Sequence, residues 1–394
     1  MEHEIPTNAQ DNSPLTTSES PAERPIAAAL SAPPSQREPE FDQKVFNFMH
    51  WVFFGEQGLR GGWSVLVFLI TASSITAAVS IIYSLLDLSN RSDGFSVRAV
   101  IVNESMELIG LIGAAWIVGR MERRRVLDFN LSGPRPVTNF AGGIVAGFLA
   151  LSVLVGALWS GGWLHFGSVS LSGLAIAKYA VLWGGAFLFV GCVEEGAFRC
   201  YLQFTFTRSI NFWWASGVLA VACISLAFRA TGTAAWGVYA MTLIGLIPCL
   251  VLQLKRAPNS GFWQAAWLTS TLFGFIHVGN KGENWIGIFA AAAIGFVFCV
   301  SLWITGSAWW AIGCHAGWDW GETYFYGTAD SGMVAPGHYL STTPHGNPFW
   351  SGGADGPEGS ILVLGAILLL LVALLVIYGR KSRLPAQTAA SISS

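Results

Sequence analysis

Apolar runs of about 20 residues, the length that crosses the hydrocarbon core of a bilayer, recur along most of this chain, separated by short polar or Gly/Pro-rich stretches. The pattern predicts ten helical spans, near 63–86, 99–119, 141–160, 180–207, 212–230, 236–254, 262–281, 285–305, 308–326 and 360–379. The ninth is aromatic and polar, and is the weakest of the set. Ahead of the first span, residues 41–62 mix Phe46, Phe48, Trp51, Phe53 and Phe54 with Lys44, Glu56 and Arg60, the composition of an interfacial segment. Between the ninth and tenth, residues 328–359 hold seven Gly and four Pro and predict a loop too broken for regular structure.

The basic residues orient this bundle. Arg120, Arg123, Arg124 and Arg125, then Arg208, then Lys255 and Arg256, then Arg380, Lys381 and Arg383 all follow even-numbered spans. Cytoplasmic loops concentrate Lys and Arg, so both termini are expected in the cytoplasm of a multi-pass protein of the cell (inner) membrane. Arg91 and Arg98, in the first outside loop, run against the pattern. Composition agrees with the span count: 53% of the 394 residues are hydrophobic and 11% are charged, against about 25% charged in soluble domains. Residues 1–40 differ, with seven of the sixteen prolines, seven acids and two Arg, and are expected to be a disordered tail. The expected organisation is therefore a tail over 1–40, an interfacial segment over 41–62, an all-α polytopic transmembrane domain over 63–379 and a basic tail over 380–394. The net charge of −2 carries no nucleic-acid footprint, and the six cysteines lie in apolar stretches without the spacing of a disulfide framework or thiolate metal site.

Titratable side chains inside a bilayer are costly, and that makes them pointers to function. Here they are Glu104, Glu107, Glu194, Glu195, Arg199, His277, His315, Asp319 and Glu322. In Val193-Glu194-Glu195-Gly196-Ala197-Phe198-Arg199, helical spacing puts Glu195 and Arg199 one turn apart on the same side and turns Glu194 away from both. Glu195 and Arg199 then read as a structural ion pair, leaving Glu194 as a carboxylate suited to general-base work on a water. The bland alternative is a self-compensated cluster that holds two spans together. Phe273-Gly274-Phe275-Ile276-His277 sets one imidazole near the end of a span, more often a packing residue than a catalytic one when alone. His315 and Asp319 share one helix face, extended by Glu322; such a face binds a metal or positions a donor, or else pins a neutral buried His.

Taken in order, EExxxR, FxxxH and HxxxN/D on separate hydrophobic segments resemble the CPBP family, the CAAX-protease and bacteriocin-processing intramembrane proteases also called the Abi family. The likeness covers roughly residues 180–325, and Gly55-Glu56-Gln57-Gly58-Leu59-Arg60-Gly61-Gly62-Trp63 also resembles bacterial members. The resemblance implies an intramembrane endopeptidase in which Glu194 and His277 activate the attacking water, Glu195 and Arg199 form the structural pair, and His315 with residue 319 faces the developing oxyanion. This chain carries Asp319 where many relatives have Asn, and residues 212–254 insert an extra helical hairpin between the first two motifs. An Asp donates a hydrogen bond only when protonated and serves better as a metal ligand. A metal-free site is favoured, because the set lacks a closely spaced His pair on one helix. If zinc is bound, its expected ligands are His277, His315 and either Asp319 or Glu194. Expected partners are the bilayer and a membrane protein or peptide substrate, with no nucleic acid. The competing readings are a non-catalytic membrane scaffold or immunity protein of the same fold and a proton-coupled transporter using Glu104 and Glu107.

Overall fold

The computed structural model describes residues 41–55, 58–87, 95–227, 233–280, 282–330 and 332–379. The two tails, Glu56, Gln57, Arg91, Arg380, Lys381 and Arg383 lie outside the described residues. Contacts divide the chain into a unit ending at Val52 and a second unit that starts at Phe53. The first contains most of helix α1 (Phe41–Phe53). Among the described residues the second is helical apart from two pairs of short strands.

A helix stands at each of the ten expected places. They are α2 (Gly61–Leu85), α3 (Val97–Met121), α4 (Pro136–Ser160), α5 (Leu174–Glu195) continuing into α6 (Gln203–Ser209), α7 (Phe212–Ala227), α8 (Thr233–Leu254), α9 (Ser260–Ile276), α10 (Trp285–Thr305), α11 (Trp309–Asp319) and, after the short α12 (Pro348–Ser351), α13 (Leu362–Ile377). Among the described residues six stretches are long and apolar enough to cross a membrane unaided: α2, α3, α4, Leu174–Ser209, Trp236–Leu254 and α10; α7 and α13 are shorter apolar helices. The remaining two are short and largely buried: α9, which His277 caps at its C-terminal end, and α11, which carries His315. Their polar content is tolerable because protein, not lipid, surrounds it.

Close helix packing sets where those histidines point. Gly143 and Gly147 of α4 meet Gly313 and Gly317 of α11, and a methyl group at any of the four would run into the facing backbone. This is the small-xxx-small contact that lets two membrane helices approach at backbone distance. His315 lies two residues from each α11 glycine, about 200° around the helix, so the seam turns it and Asp319 away from α4. A core of Leu151, Leu154, Phe298, Trp310, Ile367 and their neighbours joins α4, α10, α11 and α13 around this seam.

Two wide helical turns interrupt the pattern. Gly196–Leu202 between α5 and α6, and Trp320–Tyr326 after α11, are π-helical. Such turns free backbone carbonyls and gather at functional sites; the Arg199 carbonyl accepts a hydrogen bond from Asn130 Nδ2 at 2.8 Å. The 328–359 loop departs from its expected irregularity. Its Leu340–Pro344 strand pairs antiparallel with Leu164–Val169, with Leu164 opposite Pro344 and Phe166 opposite Thr342. The Gly/Pro content misled because glycines with positive φ, such as Gly337, Gly346 and Gly352, turn the chain between short ordered pieces. Trp350 stacks on Trp163 with ring centres 5.1 Å apart, which fastens the loop to the end of α4.

Candidate active site

His315 is the hub. Its Nδ1 lies 2.9 Å from Glu195 Oε1, and its Nε2 lies 3.5 Å from Asp319 Oδ2 and 3.8 Å from Glu194 Oε2. A carboxylate accepts, so Nδ1 donates to Glu195, and that bond fixes the ring orientation and aims Nε2 at the other two carboxylates. Glu195 in turn holds Arg199, whose Nε is 3.1 Å from Oε2 and whose Nη1 donates to Oε1 at 3.4 Å. Both side chains are wholly buried. The guanidinium lies 4.3 Å from the ring centre of Phe273 and 5.3 Å from that of Phe298, so aromatic faces replace part of its lost hydration. Gly295 leaves the space this requires, since a Cβ there would collide with Arg199 Nη2.

His277 closes α9, with Nδ1 2.8 Å from the Phe273 carbonyl. The carbonyl only accepts, so Nδ1 carries a proton and donates it to that bond, which leaves Nε2 as the nitrogen free to face the cavity. His277, His315 and Asp319 line one cavity, together with Phe273, Phe298 and Trp318. Glu194 is not among the residues that line this cavity; it lies at His315 Nε2 and within electrostatic range of Glu104 and Glu107 on α3. Among the described residues no ion pair joins His277 to a carboxylate, and no group of three or more His, Cys, Asp and Glu is arranged to hold a metal ion.

Sequence reasoning missed one member of this neighbourhood, Glu358, and the contacts of two that it had named. Glu195 serves two partners, because helical spacing reveals Arg199 but not an imidazole 120 residues away. Glu322 is fully buried, and its Oε2 accepts from Trp318 Nε1 at 3.0 Å. Glu358, from the 328–359 loop, accepts from the same Nε1 at 2.8 Å and lines the cavity. Nothing in the Gly-Pro-Glu-Gly stretch signals this; only its position beside α13 does so. Burial, with Asp330 and Asp355 adding repulsion, pushes the Glu358 carboxyl up to about 8. Nearby, burial raises Asp355 to about 7, against an opposing hydrogen bond from the Asn284 backbone, and raises Glu283 to about 9 with help from Asp355 and Glu358.

Three ring side chains of the 328–359 loop hold it in place. Trp350 packs on Trp163, His345 lies 4.9 Å from the ring of His165, and His338 Nδ1 donates to the Ala335 carbonyl at 2.6 Å. None of these lines the cavity, so they anchor the loop while Glu358 reaches inward.

No curated protein and no solved structure compared with the chain matches it. One family model does, over a segment that starts near the end of α8, takes in His277, His315 and Asp319, and leaves the Glu194-Glu195-Arg199 motif outside. Residues 248–321 match the type II CAAX prenyl endopeptidase Rce1-like family, consistent with the CPBP resemblance of the three motifs, in a multi-pass membrane protein.

Proposed function

We propose that the chain is an intramembrane endopeptidase that hydrolyses a peptide bond in a membrane-associated protein or peptide, in the cell (inner) membrane with both termini cytoplasmic. The observation that carries this reading is the placement of His315, held by Glu195 at 2.9 Å and facing Asp319 and Glu194 across its other nitrogen, at the wall of a cavity it shares with His277. The Rce1-like match over 248–321 supports the same class of chemistry.

In this reading Glu194 takes a proton from a water oriented by His277 Nε2, and the water oxygen attacks the scissile carbonyl. His315 and Asp319 face the oxygen that gains charge, where preorganised donors supply a large part of catalysis. Glu195 and Arg199 do not touch the reacting atoms; they set the His315 ring. The mechanism uses no metal, and the low dielectric of the membrane interior strengthens each of these interactions. Incubating purified protein with a library of membrane-anchored peptides tests the reading. Cleavage by the native protein and its loss in Glu194→Gln supports it; a scaffold or immunity protein gives no cleavage in either.

A further inference from the structure

The 328–359 loop places one carboxyl in the cavity that no motif assigns. Glu358 lies in the short helical turn Pro357–Gly359 just before α13 and lines the cavity with His277, His315 and Asp319. Its Oε1 is 2.8 Å from Trp318 Nε1, the same nitrogen that lies 3.0 Å from Glu322 Oε2. One N–H therefore serves two carboxyl groups, and the second oxygen of Glu322, Oε1, has no hydrogen-bond partner among the described residues. Two carboxylates so close in a buried site do not both ionise, because repulsion and lost hydration act on the same pair. The groups around Glu358 are Asp319, His315 and Glu322 on α11 and the turn after it, Asp330 and Asp355 in the loop, Glu283 ahead of α10, and His277 across the cavity.

We propose that Glu358 is the general acid of the reaction, delivered to the cavity by the 328–359 loop and aimed by Trp318, and that it protonates the departing amine. The proposal rests on the endopeptidase reading. The steps balance without a further reactant. Water forms the new C–O bond and gives one proton to Glu194; the carbonyl pair moves to oxygen; the intermediate then collapses, the C–N bond breaks, and the amine nitrogen takes the proton of Glu358. Glu194 afterwards releases its proton and Glu358 regains one, so each cycle consumes one water. Placing the acid on a separate element from the base keeps Glu194 free of a double duty across His315. Burial, Asp330 and Asp355 hold the Glu358 proton up to about 8, which keeps the acid form present at neutral pH.

Glu358→Gln separates this role from a structural one, since Gln keeps the size of the side chain and still accepts from Trp318. Peptide kcat should fall on the order of 10²-fold with KM nearly unchanged, while cleavage of an activated ester of the same acyl segment, whose leaving group needs no proton, should stay within about threefold of native. The alkaline limb of native peptide cleavage, where rate falls as Glu358 loses its proton, should vanish in the variant. Equal loss on peptide and ester, or native turnover with an unchanged pH profile, overturns the proposal. Glu358→Asp, which shortens the reach but keeps the acid, should recover part of the peptide rate and retain the alkaline limb; a rate no better than that of Glu358→Gln counts against it. Infrared difference spectra of native protein against Glu358→Gln give a readout independent of turnover. A protonated carboxyl band missing only from the variant, and titrating near pH 8, supports the acid even if no peptide is cleaved and the endopeptidase reading fails; absence of the band in native protein refutes it.

Discussion

Replacing Arg199 by Ala removes one of the two partners of Glu195 inside the bundle. The guanidinium is fully buried, 3.1 Å from the carboxylate and 4.3 Å from the ring of Phe273. Deleting one member of a buried pair costs about 3–5 kcal/mol, chiefly because the other charge stays behind, and loss of a desolvated cation–π contact adds up to about 2 kcal/mol. Against this, Glu195 keeps the Nδ1–H of His315 at 2.9 Å, which brings the expected loss to the lower end, about 3 kcal/mol. That is roughly a hundredfold fall in the folded-to-unfolded ratio. Arg199→Lys should fall between, because an ammonium keeps the charge but has no planar face to lay on Phe273. Gly295→Ala approaches the same interaction from α10: the new methyl occupies the place of Arg199 Nη2 and sits 3.4 Å from Phe273 Cδ1, costing about 1–3 kcal/mol of overpacking. Removing both charges in Glu195→Gln/Arg199→Met should restore part of what Arg199→Ala loses. Denaturant-driven unfolding of detergent-solubilised protein reads all of these. If Arg199→Ala unfolds within about 0.5 kcal/mol of native, the pair does not hold the site together and the argument fails.

Three further outcomes follow from the same structure. A periplasm-active reporter fused after Pro344 should be active and one fused after Arg383 inactive; the reverse would refute the orientation read from the arginines. Glu283 and Asp355 hold their protons more tightly in the folded protein, up to about 9 and about 7, so the unfolded state binds fewer protons across the interval above the ordinary carboxylate range and stability falls as pH rises. Amide protection over 352–360, taken relative to the intrinsic base-catalysed rate at each pH, should therefore fall steadily from about pH 5 to 9, and Asp355→Asn with Glu283→Gln should flatten that slope; protection independent of pH in native protein would contradict it. Protein purified without chelator should contain no stoichiometric zinc and should keep its cleavage after chelator dialysis, whereas zinc-restorable loss would make His277, His315 and Asp319 a metal site.

How far the sequence reached depended on the range of the interaction. The apolar windows marked ten places where a helix stands among the described residues, because bilayer thickness writes itself locally into each run of residues. The Glu195 to Arg199 spacing was legible for the same reason, since four residues make one turn. The His315 to Glu195 bond was not, because it depends on how α11 packs against α5, which the glycine seam with α4 governs from the opposite face of the helix. The two π turns escaped notice because a single widened turn leaves the hydrophobic pattern intact while shifting everything beyond it around the axis. Leu164–Val169 and Leu340–Pro344 are too short and too far apart in sequence to show pairing, and Glu358 sits among glycines and a proline that read only as turn. In each of these cases the missing information is which distant element lies alongside.

The central claim is that Glu194 performs chemistry while Glu195 and Arg199 hold the geometry, and one comparison tests it most directly. Native protein, Glu194→Gln and Glu195→Gln are purified in the same detergent, their unfolding is measured, and each is reconstituted with membrane-anchored peptides whose cleavage is followed by mass spectrometry. Glu194→Gln should unfold like native protein, within about 0.5 kcal/mol, and yield no product; Glu195→Gln should be destabilised by about 3 kcal/mol or more, since it leaves Arg199 buried without its carboxylate. Cleavage by Glu194→Gln at the native rate, or equal destabilisation of the two variants, would contradict the account.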